Sequence, residues 1–240
     1  MTSTQIPLPI RLRSSSVFSS YFPGRNRPAV EALLSLEAGV PPTCVWLHGP
    51  RAVGKTHLLQ AACVRWSELG AGTAYVPLRE LGDEAEMLTG YGQLALVAID
   101  DVELVAGNAG AERALFRLYQ ELDESGGRLV VASSKPPGAL GFKLRDLASR
   151  MSGGLVLTLY ELDEAEQVQA LTLRAQLRGF ELPEETVQYL QRRMPRDMAS
   201  LCAFLDQLDE ASLVAQRKLT VPFVRQVLAQ GGEPERVARR

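Results

Sequence analysis

The sequence has few cysteines, no long apolar run and no excess of positive charge. Its cysteines, Cys44, Cys63 and Cys202, are far apart and lack C-x-x-C spacing, so neither a disulfide framework nor a zinc site is indicated. The longest strongly apolar stretch, residues 94–99, is far shorter than the roughly 18–20 residues of a membrane span. Lys and Arg total 26 against 28 Asp and Glu. We therefore expect a cytoplasmic protein that contacts no membrane and does not bind DNA on its own.

The 240 residues, 46% of them hydrophobic, are enough for a folded body and a smaller appendage. Short β-branched runs alternate with helical patterns through the first two thirds of the chain, which predicts a mostly parallel sheet covered by helices. The predicted strands are residues 43–47, 73–76, 94–99, 128–132 and 155–159, and the predicted helices between them are residues 55–69 and 111–124.

After Tyr160 the strand pattern stops and only helical patterns follow. They cover residues 163–178, 184–193, 196–216 and 221–229. The predicted organisation is therefore a flexible N-terminal tail over residues 1–20, an α/β body over residues 21–160, a small all-helical domain over residues 161–230 and a C-terminal tail over residues 231–240.

The strongest motif is a complete P-loop, G-x-x-x-x-G-K-[ST], between a predicted strand and a predicted helix. It begins at Gly49 and ends in Gly54-Lys55-Thr56. The glycines allow the loop to wrap around phosphate oxygens, and its backbone N–H groups and the positive end of the helix attract their charge. Lys55 would reach the β- and γ-phosphates and Thr56 would ligate Mg²⁺, so ADP or ATP is the expected ligand.

A second motif ends the apolar run of residues 94–99 in two carboxylates, Asp100 and Asp101. In P-loop proteins a carboxylate at the end of such a strand holds the metal ion. We assign Mg²⁺ binding to Asp100, directly or through water. Asp101 is the first candidate for orienting the attacking water, and Glu103 is the second.

Four segments resemble the AAA+ ATPases of the DnaA family, and the resemblance covers nearly the whole chain. They are Phe18-x-x-Tyr21-x-x-Gly24-x-Asn26, the P-loop extended through His57-Leu58-Leu59, Asp100-Asp101 and Leu147-Ala148-Ser149-Arg150. Residues 173–183 and 205–220 are most similar to the short, Hda-type regulators of this family. The resemblance implies a AAA+ P-loop NTPase with a parallel five-stranded sheet between helices and a small helical lid. It also leads us to expect no helix-turn-helix DNA-binding domain.

The resemblance also assigns further residues. Arg150 matches the arginine finger, which reaches a nucleotide bound by a neighbouring subunit, and Arg196 matches the second sensor. His57 is counted with the nucleotide-binding residues. Ser134, at the position of the first sensor, departs from the family because an acidic residue is usual there. A hydroxyl at this position can still hydrogen-bond a water or a phosphate, but it lacks the charge of a carboxylate.

The N-terminal tail contains Gln5-Ile6-Pro7-Leu8-Pro9-Ile10, which resembles the peptide by which replication proteins dock on the β sliding clamp. Such an extended, proline-stiffened segment loses little entropy on binding. Ile6, Leu8 and Ile10 would enter an apolar pocket, Pro9 would help to keep the segment extended, and Gln5 would hydrogen-bond.

These features together predict a negative regulator of DNA replication initiation. It would bind ADP or ATP with Mg²⁺, dock on the clamp, and stimulate ATP hydrolysis by the initiator DnaA through Arg150. DNA would be contacted only through the clamp, and a homo-oligomer is expected. Two alternatives stay open: an independent AAA+ ATPase of the helicase-loader type, and an adaptor whose nucleotide is not hydrolysed. We expect the chain to act by stimulating ATP hydrolysis by the initiator rather than by its own turnover.

Overall fold

The computed structural model describes residues 16–37, 42–81, 88–195, 197–215 and 220–230. The chain divides into two compact units, Met1–Tyr160 and Glu161–Arg240. We call the first unit the body and the second the lid. Among the described residues, no helix is both long and apolar enough to cross a membrane.

The body contains a sheet of five strands between helices. The strands are β1 (Cys44–His48), β2 (Thr73–Pro77), β3 (Leu96–Asp100), β4 (Arg128–Ser133) and β5 (Leu155–Thr158), and the helices are α1 (Arg27–Ser35), α2 (Lys55–Glu68), α3 (Leu78–Leu81), α4 (Ala109–Ser125) and α5 (Arg145–Gly153). All paired strands are parallel, in the order β2-β3-β4-β1-β5. The prediction of a parallel five-stranded sheet is therefore confirmed.

Alternate side chains of the strands enter two separate apolar layers. Cys44 and Trp46 of β1 lie in one layer together with residues of α4 and α5. Val45 and Leu47 lie in the other layer with residues of α1 and α2. Because both faces are covered, the central strands are apolar between their end residues, as is typical of parallel sheets.

The register of the sheet aligns the carboxyl ends of its strands. His48 at the end of β1 lies opposite Ser133 of β4 and Thr158 of β5, and Asp100 at the end of β3 lies opposite Pro77 of β2. In open parallel sheets ligands bind outside this edge. The P-loop and the paired carboxylates therefore lie at the edge where a nucleotide site is expected.

Several boundaries differ from the sequence-based expectation. Helix α1 was not predicted, and described structure begins before Tyr21, since Ser16 is buried and Phe18 packs against the core. Strand β3 starts at Leu96, because Leu94 is still in a turn and its N–H donates to Tyr91. Asp101 follows that strand with a φ of 55°.

The lid consists of four helices: α6 (Glu164–Leu177), α7 (Glu184–Arg193), α8 (Met198–Ala215) and α9 (Val221–Gln230). Asp163 forms a capping box with Glu166 at the start of α6. Helix α8 starts at Met198, two residues later than predicted, and Asp197 accepts a hydrogen bond from the Ser200 N–H there. The core of the lid is formed by apolar side chains from all four helices, among them Leu171, Leu190, Leu205 and Val224.

Candidate nucleotide site

The P-loop connects β1 to α2, and both of its glycines are required by their surroundings. Gly49 has a φ of 156°, and a Cβ at this position would collide with the carbonyl oxygen of Leu159. Gly54 has a φ of 94°, and its Cβ would lie 2.5 Å from the ring of Tyr21. The loop can pass this closely because neither residue has a side chain. Its concave backbone is suited to phosphate oxygens.

Lys55 places its ammonium group at the start of the loop. Its Nζ donates to the carbonyl oxygens of Gly49 and Pro50, at 2.7 and 2.6 Å. Burial lowers the pKa of Lys55, while the negative charges of Glu103, Asp100 and Asp101 act in the opposite direction. The loop thus contains the cationic group that its predicted phosphate-binding role requires.

Thr56 and Asp100 are in direct contact. The Thr56 hydroxyl donates to Oδ2 of Asp100 at 2.6 Å, and the Tyr75 hydroxyl donates to the same oxygen at 3.1 Å. Burial raises the pKa of Asp100, and the bonds from these two hydroxyls partly offset that effect. The structure therefore brings together the two residues that the sequence predicts as Mg²⁺ ligands. Tyr75 was not predicted.

This oxygen-rich pair fits the requirements of Mg²⁺, which prefers hard oxygen ligands and is bound by few protein groups. Thr56 and Asp100 would hold the ion. When bound, Mg²⁺ would neutralise charge on the β- and γ-phosphates. The hydroxyl of Tyr75 fixes the orientation of the Asp100 carboxylate from the side of β2.

Asp101 adopts a left-handed backbone conformation with a φ of 55°. Its carboxylate pairs with Arg79, whose Nε lies 2.8 Å from Oδ2 and whose Nη2 lies 3.2 Å from Oδ1. Both carboxylate oxygens are therefore engaged. Arg79 follows β2 in α3 and was not predicted, since its pairing with Asp101 depends on β2 and β3 being neighbours in the sheet.

Glu103 contacts the end of β4. Its Oε1 accepts a hydrogen bond from the backbone N–H of Ser134 at 3.1 Å. Its Oε2 is buried and has no hydrogen-bond partner among the described residues. The structure thus places a carboxylate beside the residue at which the sequence departs from the family pattern.

The segment before α1 packs against the first turn of α2. The Tyr21 hydroxyl donates to the carbonyl oxygen of Val53 at 3.1 Å, and burial raises the pKa of Tyr21 to about 12. Nε2 of His57 lies 3.0 Å from the carbonyl oxygen of Val17 and 3.3 Å from the Ser20 hydroxyl. His57 thus links α2 to the N-terminal segment. Its contribution to nucleotide binding stays a prediction.

Arg150 lies in the last turn of α5. Leu147 and Met151 of the same helix are fully buried, so they attach α5 to the body while Arg150 stays exposed. Arg150 forms no ion pair with Asp146 in the described part of the chain. It is available for an external contact, as a finger residue must be.

A buried carboxylate holds the segment in front of α5. Glu112 of α4 is 0% exposed and accepts hydrogen bonds from the backbone N–H groups of Gly107, Lys143 and Leu144, at 2.7, 3.1 and 2.7 Å. Burial alone would raise the pKa of Glu112, but the three N–H donors outweigh it and lower the pKa. Sequence reasoning missed this residue, because a glutamate on an amphipathic helix ordinarily faces solvent.

Six predicted site residues lie outside the described residues. They are Arg196 of the second sensor and the clamp-binding residues Gln5, Ile6, Leu8, Pro9 and Ile10. Their roles stay predictions.

The sheet order, the P-loop and the helical lid define a P-loop NTPase of the AAA+ class. Residues 77–158 match the family of bacterial DnaA ATPase domains, and residues 163–228 match the family of Hda lid domains. The chain is an Hda-like, DnaA-related AAA+ protein.

Solved structures show the same fold. Domain III of the Thermotoga maritima replication initiation protein DnaA superposes with a TM-score of 0.76 at 24% identity, over 94% of this chain and 100% of that one. DnaA from Aquifex aeolicus bound to AMPPCP superposes with a TM-score of 0.64 at 24% identity, over 79% of this chain and 64% of that one. The Holliday junction branch migration motor RuvB of Thermotoga maritima superposes with a TM-score of 0.61 at 16% identity, over 86% of this chain and 69% of that one.

Proposed function

We propose that this chain is a nucleotide-dependent regulator of replication initiation that switches off the initiator DnaA. It binds an adenine nucleotide in the P-loop and docks on the DNA-loaded sliding clamp through Gln5–Ile10. It then offers Arg150 to initiator that carries ATP. The observation that carries the proposal is the presence in one body of a phosphate-binding loop and of an exposed arginine, without an ion pair among the described residues, on a separate, firmly attached helix.

Nucleotide binding is supported by the geometry of the loop and by the relatives. Gly49 and Gly54 let the loop pass close to Leu159 and Tyr21, and Lys55 supplies positive charge. Thr56 and Asp100 meet at 2.6 Å, which suits a Mg²⁺ ion that accompanies the phosphates. A DnaA relative of the same fold binds AMPPCP, a triphosphate analogue.

An action on the initiator is supported by the position of Arg150. An arginine supplied by a neighbouring subunit stabilises the charge that develops in phosphoryl transfer and accelerates it about 10³–10⁵-fold. The body of this chain matches the initiator's own ATPase domain family, so the two proteins are expected to meet as neighbouring AAA+ subunits do. Because two copies of this chain share the same ATPase domain, we also expect the chain to associate with itself.

The main alternative is an independent ATPase, and a specific observation favours it. The P-loop, the Thr56–Asp100 pair and the nearby carboxylates bring phosphate-binding, metal-binding and acidic groups together within one subunit. An adaptor that binds nucleotide without hydrolysing it is the second alternative. The three functions differ in which protein turns over ATP.

The proposal is tested by mixing the purified full chain with DNA-loaded clamp and initiator that carries labelled ATP. We expect loss of the initiator's ATP only when clamp and chain are both present. Gln5→Ala should abolish this stimulation, whereas the neighbouring substitution Thr4→Ala, which lies outside the motif, should retain it.

The same assay separates the alternatives. Steady turnover by the chain without initiator or clamp would establish the independent ATPase. Stimulation that survives Arg150→Ala but is lost with Lys55→Ala would indicate the adaptor. No stimulation and no turnover would contradict the proposed function.

A further inference from the structure

Glu112 is a buried carboxylate whose contacts join three segments of the body. It lies in the first turn of α4 and is 0% exposed. Its Oε1 accepts hydrogen bonds from the N–H groups of Gly107 and Lys143, at 2.7 and 3.1 Å, and its Oε2 accepts one from Leu144 at 2.7 Å. A buried charge is costly unless such donors satisfy it. The carboxylate is thus held by the backbone of two other segments.

Glu112 supplies a cap that α5 itself lacks. Leu144 is the N-cap residue of α5, and its side chain forms no capping hydrogen bond. In a capping box, a glutamate of the same helix accepts the N–H of the N-cap residue. Here Glu112 of α4 accepts that N–H instead. Its negative charge is also favourable at the positive end of the helix dipole, so the start of α5 is attached to α4.

The start of α5 determines where Arg150 lies. Arg150 follows Leu144 by six residues, which corresponds to about 9 Å along a helix. Leu147 and Met151 are both 0% exposed, and their packing sets the rotation of α5 about its axis. The bonds to Glu112 fix the first turn of the same helix. Because a helix this short moves as a unit, these contacts together orient Arg150.

The third bond of Glu112 reaches the segment that follows the carboxylates of β3. This segment contains the short 3-10 helix Val102–Val105, whose two valines are buried, and it leads to Gly107. The Gly107 N–H donates to the same Oε1 that accepts from Lys143. A single side chain of α4 therefore connects the loop after β3 with the first turn of α5.

We propose that Glu112 is a positioning residue for Arg150: it holds α5 in the orientation in which Arg150 reaches the nucleotide of a neighbouring AAA+ subunit. This inference rests on the proposed function, in which Arg150 acts on the initiator. Glu112 is fully buried and acts only through α5. Because a displacement of about 1 Å can slow a catalysed reaction about 100-fold, a loosened α5 lowers the stimulated rate.

The test measures the rate at which the initiator hydrolyses its ATP at saturating concentrations of DNA-loaded clamp and full-length chain. Glu112→Gln keeps the size of the side chain, but its one acceptor oxygen can retain at most two of the three bonds. We expect the maximal stimulated rate to fall about 10- to 100-fold. The chain concentration that gives half of this rate should change little, since a buried side chain contacts neither clamp nor initiator.

Leu122→Ala is the matched control for a loss of stability alone. Leu122 is also 0% exposed on α4, but it lies beside Gly127, near the opposite end of the helix from Glu112. Its truncation leaves a cavity in the core and all three bonds of Glu112 in place. At a temperature at which both variants are folded, Leu122→Ala should retain the maximal stimulated rate.

Amide hydrogen exchange gives a readout that does not need the initiator. In Glu112→Gln, exchange at Lys143 or Leu144 should accelerate about fivefold relative to the amides of the sheet, the equivalent of one lost hydrogen bond. Leu122→Ala should not change this ratio. If Glu112→Gln fails to fold, Glu112→Asp is used in both measurements, because it keeps the charge but withdraws the oxygens by one methylene group.

A wild-type maximal rate in Glu112→Gln would overturn the proposal. An equal loss of the maximal rate in Leu122→Ala would also overturn it, because stability alone would then explain the effect. A wild-type chain that produced no stimulation would instead contradict the proposed function, and this inference with it.

Discussion

The body and the lid differ in how their carboxylates are placed. In the body, two carboxylates are buried and engaged by specific donors: Asp100 by Thr56 and Tyr75, and Glu112 by three backbone N–H groups. In the lid, the ion pairs are partly exposed, as in Arg178 with Asp206, whose side chains are 25% and 44% exposed. The core of the lid is apolar.

The difference shows where the chemistry of this chain is located. A buried carboxylate costs free energy unless its charge is satisfied, so its presence indicates a requirement other than packing. Partly exposed ion pairs contribute little to stability and carry no such indication. By this criterion the candidate functional groups among the described residues lie in the body. The lid is related to the Hda lid family by its sequence. None of its described carboxylates is buried.

The largest expected effect on stability concerns Glu112. Glu112→Ala would leave three buried N–H groups without an acceptor, and each such group costs about 1–3 kcal/mol. We expect the free energy of unfolding of the body to fall by at least about 3 kcal/mol, measured by chemical denaturation. A loss below about 1 kcal/mol would show that water replaces the carboxylate.

Glu112 also predicts a pH dependence. Its pKa is lowered in the folded state, so its stabilising effect is complete above the unfolded pKa of about 4.3 and is lost as the pH falls through the folded pKa. Glu112→Gln should therefore flatten the acid limb of a plot of unfolding free energy against pH. Identical acid limbs in the two proteins would contradict this assignment.

The next largest effect concerns Lys55. Lys55→Ala removes the charge in the P-loop, and charge-assisted hydrogen bonds contribute about 1.5–3 kcal/mol each. We expect nucleotide affinity to fall about 100-fold in a fluorescent ADP titration. The exposed Lys135 provides the control, since Lys135→Ala should bind as the wild type does. Equal losses in both variants would show that nucleotide binds elsewhere.

A smaller effect is expected at Tyr75. Tyr75→Phe removes one of the two hydroxyl donors of Asp100 Oδ2, a change of about 1 kcal/mol. Nucleotide affinity should fall about fivefold in the presence of Mg²⁺ and change little when Mg²⁺ is chelated. Tyr160→Phe, at an exposed tyrosine, is the control. An equal loss of nucleotide affinity without Mg²⁺ would show that Tyr75 does not act through the metal site.

The smallest effect belongs to the lid. Arg178→Ala breaks the pairs with Asp206 and Asp209, at 2.7 and 3.7 Å, and should lower the free energy of unfolding of the lid by less than about 1 kcal/mol. High salt should lower the free energy of unfolding of the wild-type lid by a similar amount, because it screens these ion pairs. A loss as large as that of Glu112→Ala would abolish the distinction between the two units.

The sequence predicts those parts of the site that are local in the chain. The P-loop is a contiguous pattern of eight residues, so Gly54, Lys55 and Thr56 could be placed on a strand-to-helix turn without any knowledge of the sheet. The five strands could be predicted from their apolar runs. The lid helices followed from their period, although their ends shifted by one or two residues.

What could not be predicted depends on contacts between distant segments. Tyr75 meets Asp100 and Arg79 meets Asp101 only because β2 and β3 are neighbours in the sheet. The contact of Glu103 with Ser134 similarly depends on the position of β4. Glu112 is polar on a helix whose pattern alone predicts solvent exposure. The first three contacts require the strand order, which single-sequence patterns do not contain, and that of Glu112 requires the packing of residues 143–144 against α4.

The most direct test of the central claim is the rate at which the initiator hydrolyses its own ATP in the presence of DNA-loaded clamp and the Arg150→Ala variant of this chain. Arg145→Ala, an exposed arginine of the same helix, is the matched control. The account predicts that Arg150→Ala binds nucleotide as the wild type does but loses the stimulation, while Arg145→Ala retains it. Undiminished clamp-dependent hydrolysis with Arg150→Ala would contradict it.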